Sequence, residues 1–261
     1  MLGDARRQCR SSKDVSMPFA YPLFLSLEGA HCLVAGLGEV GLRKLAGVLA
    51  AGVGSVLALE AASGGADPES APEPRAARLL RDPRVRVERR ACTATDIAPC
   101  RLVFAATNDS AENARIAALC RAARVLCNCA SEPALGQFAV PAVARRGELC
   151  AALSTGGASP ALSRSLRGDL ENWLEPRAAL AHFLGRLRPL VLAMKLDTRH
   201  NTQLFRKVAA SPMGDWLAAG ELDRCRRWLE RELPPALAAE AIPLLESRPR
   251  TVPDGETHES C

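Results

Sequence analysis

The residues best able to do chemistry in this sequence are three glycines, one acid and a few small polar groups. Each lies just after an apolar run. Gly36, Gly38 and Gly41 form a GxGxxG pattern within Gly36-Leu37-Gly38-Glu39-Val40-Gly41. The preceding Cys32-Leu33-Val34-Ala35 reads as a buried strand, and residues 40–51 carry helical periodicity through Val40, Leu45, Val48 and Leu49. Such a turn lets a pyrophosphate approach the backbone and rest on the unpaired N–H groups of a helix start. A second apolar run, 53–59, ends in Glu60, and an acid about 20 residues beyond the glycines completes the dinucleotide pattern. It accepts hydrogen bonds from a ribose 2′-hydroxyl and repels a 2′-phosphate. The spacing therefore predicts an NAD site made by Gly36, Gly38, Glu39, Val40, Gly41, Glu60 and the adjoining Ala61. The plainer alternative is a tight strand–helix turn with no ligand.

Further along, the apolar run 102–107 ends at Thr107 and Asn108, and Asp109 or Ser110 is placed to cap a helix over 111–123. Thr107 and Asn108 are expected to touch the cofactor, with a plain turn as the alternative for Asn108. A strand over 125–129 carries Asn128 and opens into the loop 130–137, which holds Ser131 and Glu132. The stretch Ser154-Thr155-Gly156-Gly157-Ala158-Ser159-Pro160 reads as a helix start, with serine at the cap and proline in the first turn. A start of that composition is an anion site by its own geometry. Arg164 and Arg167 lie one to two turns down that helix. They are expected either to hold carboxylates or to line a solvated face.

The elements that must position these groups alternate. Strand and helix follow one another over 32–129, so this part is expected to be an α/β, Rossmann-type parallel sheet with ligands at the carboxyl ends of its strands. Residues 1–17 and 247–261 read as disordered, and order is expected to begin near Pro18, with Met17 a possible start. A loop is expected over 63–75. From Pro176 onward the pattern is helical: 178–196, 201–210, 213–219, 221–233 and 236–246, separated by proline and glycine. The expected organisation is an NAD-binding domain over 18–141, a segment with the anion-binding helix start over 142–175, and a small all-helical domain over 176–246.

The 261 residues are 48% hydrophobic and 4% aromatic, with a net charge of +5. Few aromatics leave little for base stacking, and the mild positive charge suits an anionic small molecule better than a nucleic acid. No apolar run is long enough to span a bilayer, and the first residues lack the apolar core of a signal peptide. The ten cysteines include no CxxC pair and there are only four histidines, so a structural metal site is not expected. Free thiols in a reducing cytoplasm are.

In combination these runs resemble a known family. Leu23-Phe24-Leu25, Leu27-Glu28-Gly29, Gly36-x-Gly38-Glu39-Val40, Ala105-Ala106-Thr107-Asn108-Asp109, Asn128 with Pro133, Phe138-x-x-Pro141 and the 154–160 run together are similar to the precorrin-2 dehydrogenase / sirohydrochlorin ferrochelatase family, the N-terminal module of sirohaem synthases. The resemblance covers about residues 18–175. It implies NAD-dependent dehydrogenation of precorrin-2 to sirohydrochlorin, and a homodimer joined through the segment after the sheet. It implies that Asn128, Ser154, Thr155, Gly156, Gly157, Ser159, Arg164 and Arg167 bind the carboxylate-rich macrocycle. The glycine loop and the 154–160 helix start would then be two halves of one site.

One position departs from the family. Its members carry an aspartate, linked to catalysis and metal insertion, three residues after the asparagine of this strand; here Ser131 stands there, followed by Glu132. A serine hydroxyl is a poor general base and a poor ligand for a divalent metal. Glu132 would substitute if the loop turns it inward. Ser131 and Glu132 are therefore the candidate catalytic residues, and dehydrogenation is the expected activity. The alternatives are a bifunctional enzyme that also inserts Fe2+ or Co2+, and an NAD(H)-sensing module that binds the dinucleotide without catalysis.

Overall fold

The computed structural model describes residues 21–61 and 74–247. The expectations for 1–17, for most of the loop 63–75 and for 248–261 fall outside those residues. The chain divides into two compact units, one up to Val140 that also takes in Gly156–Ala158, and one from Pro141 onward.

The first unit is built on β1 (His31–Ala35), β2 (Ser55–Glu60), β3 (Val85–Arg89), β4 (Leu102–Ala105) and β5 (Leu126–Cys129). All neighbours are parallel, in the order β3-β2-β1-β4-β5. The connections carry α1 (Glu39–Ala50), α2 (Pro74–Leu80), α3 (Ala94–Ile97) and α4 (Ser110–Ala123). Strand order reverses between β1 and β4, so the sheet has a switch point at their carboxyl ends, where such sheets take ligands.

The central strands are apolar throughout because both of their faces are covered. Leu33, Leu57 and Val103 pack with Ile97, Ile116 and Cys120 on one face. Cys32, Val34 and Val56 pack with Leu45 and Val48 on the other. Residues such as Ile116 and Leu45 are fully enclosed, and each stabilises the fold by about 1.5–3 kcal/mol. The free edge of β5 is partly occupied. Gln137 donates its backbone N–H to the Cys127 carbonyl at 2.8 Å and accepts from the Cys127 N–H through Oε1 at 2.9 Å.

The second unit opens with an antiparallel ribbon, β6 (Ala142–Arg146) and β7 (Leu149–Leu153), turning at Gly147 with φ +53°. Then come α5 (Pro160–Leu174), α6 (Ala178–Ala193), α7 (Thr198–Ala209), α8 (Met213–Ala218), α9 (Leu222–Glu232) and α10 (Pro235–Ala241). Phe183, Leu187, Val208, Met213, Cys225 and Leu229 belong to the common core of α6 to α10. Helix α6 is shorter than the periodicity suggests, and α7 starts earlier. Lys195 turns into left-handed backbone at φ +54°, and Asp197 caps α7 by accepting from the His200 N–H at 2.8 Å. No helix among the described residues is long and apolar enough to cross a membrane.

Candidate functional site

The glycine loop lies at the switch point, and its three glycines have different reasons to be glycine. Gly36 takes φ +93°, and a Cβ there would stand 2.3 Å from the Ala106 carbonyl oxygen. Its N–H donates to Leu59 O at 2.8 Å, while Ala106 N–H donates to Ala35 O at 2.8 Å. The ends of β1, β2 and β4 are thereby tied together. A Cβ on Gly41 would stand 1.8 Å from the Gly36 carbonyl oxygen, so α1 can cross β1 only with a glycine at that contact. Gly38 is open by contrast. The nearest atom to a Cβ there is Asn108 Oδ1, at 4.0 Å. Gly38 is also the N-cap of α1, with no side chain capping the helix. The first-turn amides, those of Glu39 and Val40 among them, thus meet open space with the positive end of the helix dipole behind them. The Glu39 side chain is almost wholly exposed and, among the described residues, pairs with Arg43 at 3.9 Å.

Glu60 closes β2, adjoining the Leu59 carbonyl that receives the Gly36 N–H, and exposed Ala61 follows it. Its partner in the parallel register is Arg89, at the end of β3. Register partners point to the same face of a sheet. An acid and an arginine therefore stand side by side at this edge, and among the described residues neither is engaged in an ion pair.

On the other side of the switch point, Asp109 caps α4 by accepting from Ala111 N–H at 2.8 Å and Glu112 N–H at 3.3 Å. One turn on, the Asn113 side chain is fully buried. Its Oδ1 accepts from Thr107 N–H at 2.9 Å and from Thr107 Oγ1 at 2.8 Å. Its Nδ2 donates to Thr107 O at 2.9 Å and to Ser131 Oγ at 3.2 Å. The turn after β5 is also held to β4, through Ala130 N–H to Ala105 O at 2.9 Å. Ser131 is exposed and lies 3.7 Å from Cys129 Sγ. Glu132 is exposed too, leading into a short 3-10 turn, Pro133–Leu135. Asn128 spends its Nδ2 on the Phe138 carbonyl at 3.0 Å, and Phe138 packs edge-on against Phe104 with ring centroids 5.5 Å apart.

At the start of α5 the Ser159 hydroxyl accepts from Leu162 N–H at 3.2 Å, as a helix cap should. Thr155 Oγ1 lies 3.0 Å from Ser163 Oγ and 3.4 Å from Ser159 O. Both hydroxyls are used in holding the turn. Gly156 and Gly157 take φ +63° and +87°, and Ser154 is exposed. Arg164 is exposed, whereas Arg167 lies 3.7 Å from Glu171, a carboxylate that also meets Arg146 at 3.5 Å.

Residues 23–142 match a family described as putative NAD(P)-binding. The siroheme synthase of Nitrosospira multiformis is 32% identical over 216 residues, 81% of this chain and 44% of that protein. Those of Pseudomonas putida (strain F1) and Methylococcus capsulatus are 35% and 33% identical over 80% of this chain, and 43% and 42% of theirs. The chain is similar to these siroheme synthases over most of its own length. It spans less than half the length of the ones it matches. Among solved structures it resembles SirC, precorrin-2 dehydrogenase, with a TM-score of 0.57 and 22% identity over 87% of this chain and 99% of that one. At that identity the likeness is one of fold.

The sheet brings Gly36, Gly38, Gly41, Glu60, Thr107, Asn108 and Ser131 to one carboxyl edge. Ser154, Thr155, Ser159, Arg164 and Arg167 belong to the second compact unit, and Gly156 and Gly157 are grouped with the first. The glycine loop fits a nicotinamide dinucleotide, because the space over Gly38 is empty where a pyrophosphate would approach and the helix start behind it is uncapped. The residue that sequence reading missed is Asn113. Its signal is faint: a polar side chain on the same face of α4 as Ile116, Ala117 and Cys120, all buried.

Proposed function

We propose that this chain oxidises precorrin-2 to sirohydrochlorin, with NAD as the oxidant. The observation that carries the reading is the glycine loop, open at Gly38, uncapped at α1 and bounded by Glu60 and Asn108. The kinship with siroheme synthases supports the choice of substrate. The reaction takes a hydride from precorrin-2 and releases a proton, giving sirohydrochlorin and NADH.

The bound nicotinamide supplies the hydride acceptor, and the chain's work is to hold and orient. The α1 amides hold the pyrophosphate. Glu60 accepts from the adenosine ribose hydroxyls and disfavours a 2′-phosphate. The anionic macrocycle is drawn by the 154–160 helix start and by Arg164, the exposed arginine on α5. Asn128 is a substrate contact in this reading only through its Oδ1, since its Nδ2 is bound to Phe138. Incubating the purified chain with NAD and precorrin-2 tests the reading. Sirohydrochlorin and NADH should appear together, and NADH binding without oxidation of precorrin-2 would leave only a sensing module. Sirohydrochlorin with Fe2+ or Co2+, with and without protein, tests metal insertion separately.

The same reading makes the protein a cytoplasmic homodimer. The ribbon β6–β7 and α5 carry the dimer surface, supported by Leu162 and Trp173, which are 48% and 55% exposed on α5. Sedimentation at micromolar concentration should give the dimer mass, and Trp173→Glu should shift it toward the monomer.

A further inference from the structure

The bonding of Asn113 fixes the chemical role of Ser131. Thr107 N–H can only donate and Thr107 C=O can only accept, and the Asn113 amide meets both at 2.9 Å. Those two backbone groups determine which end of the amide is oxygen and which is nitrogen, so the side chain cannot be turned over. The second N–H of Asn113 Nδ2 is therefore the group that reaches Ser131 Oγ, at 3.2 Å, and Ser131 must accept it. A hydroxyl has one proton. With Asn113 donating, that proton is free for another acceptor. Cys129 Sγ, the other atom near it at 3.7 Å, is a weak one. Among the described residues no carboxylate, imidazole or amine touches the Ser131 hydroxyl. The residue is exposed at the end of β5, beside the switch point.

We propose that Ser131 is a hydrogen-bond donor to an acceptor oxygen of the bound ligands, and that Asn113 is the positioning residue that keeps it one. It neither takes a proton nor attacks. The oxygen belongs either to a carboxylate of the macrocycle or to the carboxamide of the nicotinamide. This inference rests on the dehydrogenase reading for the identity of those ligands. Asn113 also ties the donor to Thr107, so one buried amide sets the geometry of the β4 and β5 turns together.

The test compares Ser131→Ala, Ser131→Thr, Asn113→Asp and the Ser131→Ala/Asn113→Asp double variant. The readouts are KM for precorrin-2, Kd for NADH by fluorescence, and the pH profile of kcat. Loss of one such hydrogen bond should weaken one of the two ligands about tenfold. A raised KM with unchanged Kd assigns the substrate carboxylate, and a raised Kd assigns the carboxamide. Ser131→Thr, which keeps the hydroxyl, should recover most of the loss. Asn113→Asp keeps an acceptor for Thr107 but removes the donor, and should show the loss with Ser131 still present. The double variant should then be no worse than either single one, which a merely structural asparagine would not produce. If Asn113→Asp does not fold, the alanine and threonine variants of Ser131 still decide the matter. Unchanged KM and Kd in Ser131→Ala, or the disappearance of a limb of its pH profile, would overturn the proposal. If the unaltered chain oxidises no precorrin-2, the dehydrogenase reading fails. An unchanged NADH Kd in Ser131→Ala would then overturn this proposal as well.

Discussion

Asn113 and Thr107 exchange three hydrogen bonds: the asparagine amide accepts from the threonine N–H and hydroxyl and donates to its carbonyl. A fully buried amide is costly unless satisfied, and here the backbone at the end of β4 satisfies it. The exchange makes the turn after β4 rigid where Asn108 faces the glycine loop. Asn113→Leu would leave the Thr107 N–H and C=O without partners. It should destabilise the fold by about 2–4 kcal/mol, read as a lower midpoint in urea with little change in slope.

The glycines allow fold and function to be separated. Gly41→Ala and Gly36→Ala drive a methyl into backbone at 1.8 and 2.3 Å, and each should cost at least about 1–3 kcal/mol of stability. Gly38→Ala meets nothing closer than Asn108 Oδ1, at 4.0 Å. It should keep the thermal midpoint of the unaltered chain while weakening NADH binding at least about tenfold, because the methyl occupies the approach to the α1 amides. Equal NADH affinity in Gly38→Ala would mean that the pyrophosphate is bound elsewhere.

Cofactor choice should turn on the Glu60–Arg89 register pair. With Glu60 present the acid should favour NAD. Glu60→Gln leaves Arg89 unopposed and should shift the Kd ratio toward NADP by about tenfold or more. Adding Arg89→Ala should remove that gain. Titration of each variant with both dinucleotides checks this.

An acid-stability prediction follows from Arg84, which is forked onto Asp82 at 2.9 and 2.7 Å and also reaches the Leu49 carbonyl at 3.1 Å. Hydrogen bonds from Arg84 lower the Asp82 carboxyl from 3.8 to about 2. A carboxyl held lower in the folded state binds fewer protons there than when unfolded. Its contribution is therefore complete above about pH 4 and is lost as pH falls toward about 2. Stability measured across that window should fall less steeply in Asp82→Asn.

The thiols should divide sharply. Burial pushes Cys32 and Cys92 up to about 11 and Cys100 up to about 12. Cys120 is raised by its hydrogen bond with Cys127 and by burial. Among the described cysteines only Cys150 is exposed. Brief alkylation of the native protein at neutral pH, mapped by mass spectrometry, should label Cys150 and spare Cys32, Cys92, Cys100, Cys120 and Cys127.

Much of this was readable from the chain because it depends on local pattern. The glycine spacing, Glu60 and the strand end at Ala35 follow from apolar runs and punctuation, and the structure has them at those positions, while β4 stops at Ala105, two residues before the end of its apolar run. What escaped depends on contacts distant in sequence. Asn113 looks like any polar residue on a helix until Thr107 and Ser131 are brought to it. Likewise Thr155 is expected to bind the macrocycle, yet its hydroxyl lies 3.0 Å from Ser163 Oγ within the helix start, whereas Ser159 is the cap that its type and the following proline predict.

The most direct measurement of the central claim is the stoichiometry of a single incubation of purified chain, NAD and precorrin-2. One NADH per sirohydrochlorin formed, with the yield sharply reduced in Gly38→Ala, is the expected result. Sirohydrochlorin appearing no faster than without protein, or NADH not accompanying it, would contradict the account.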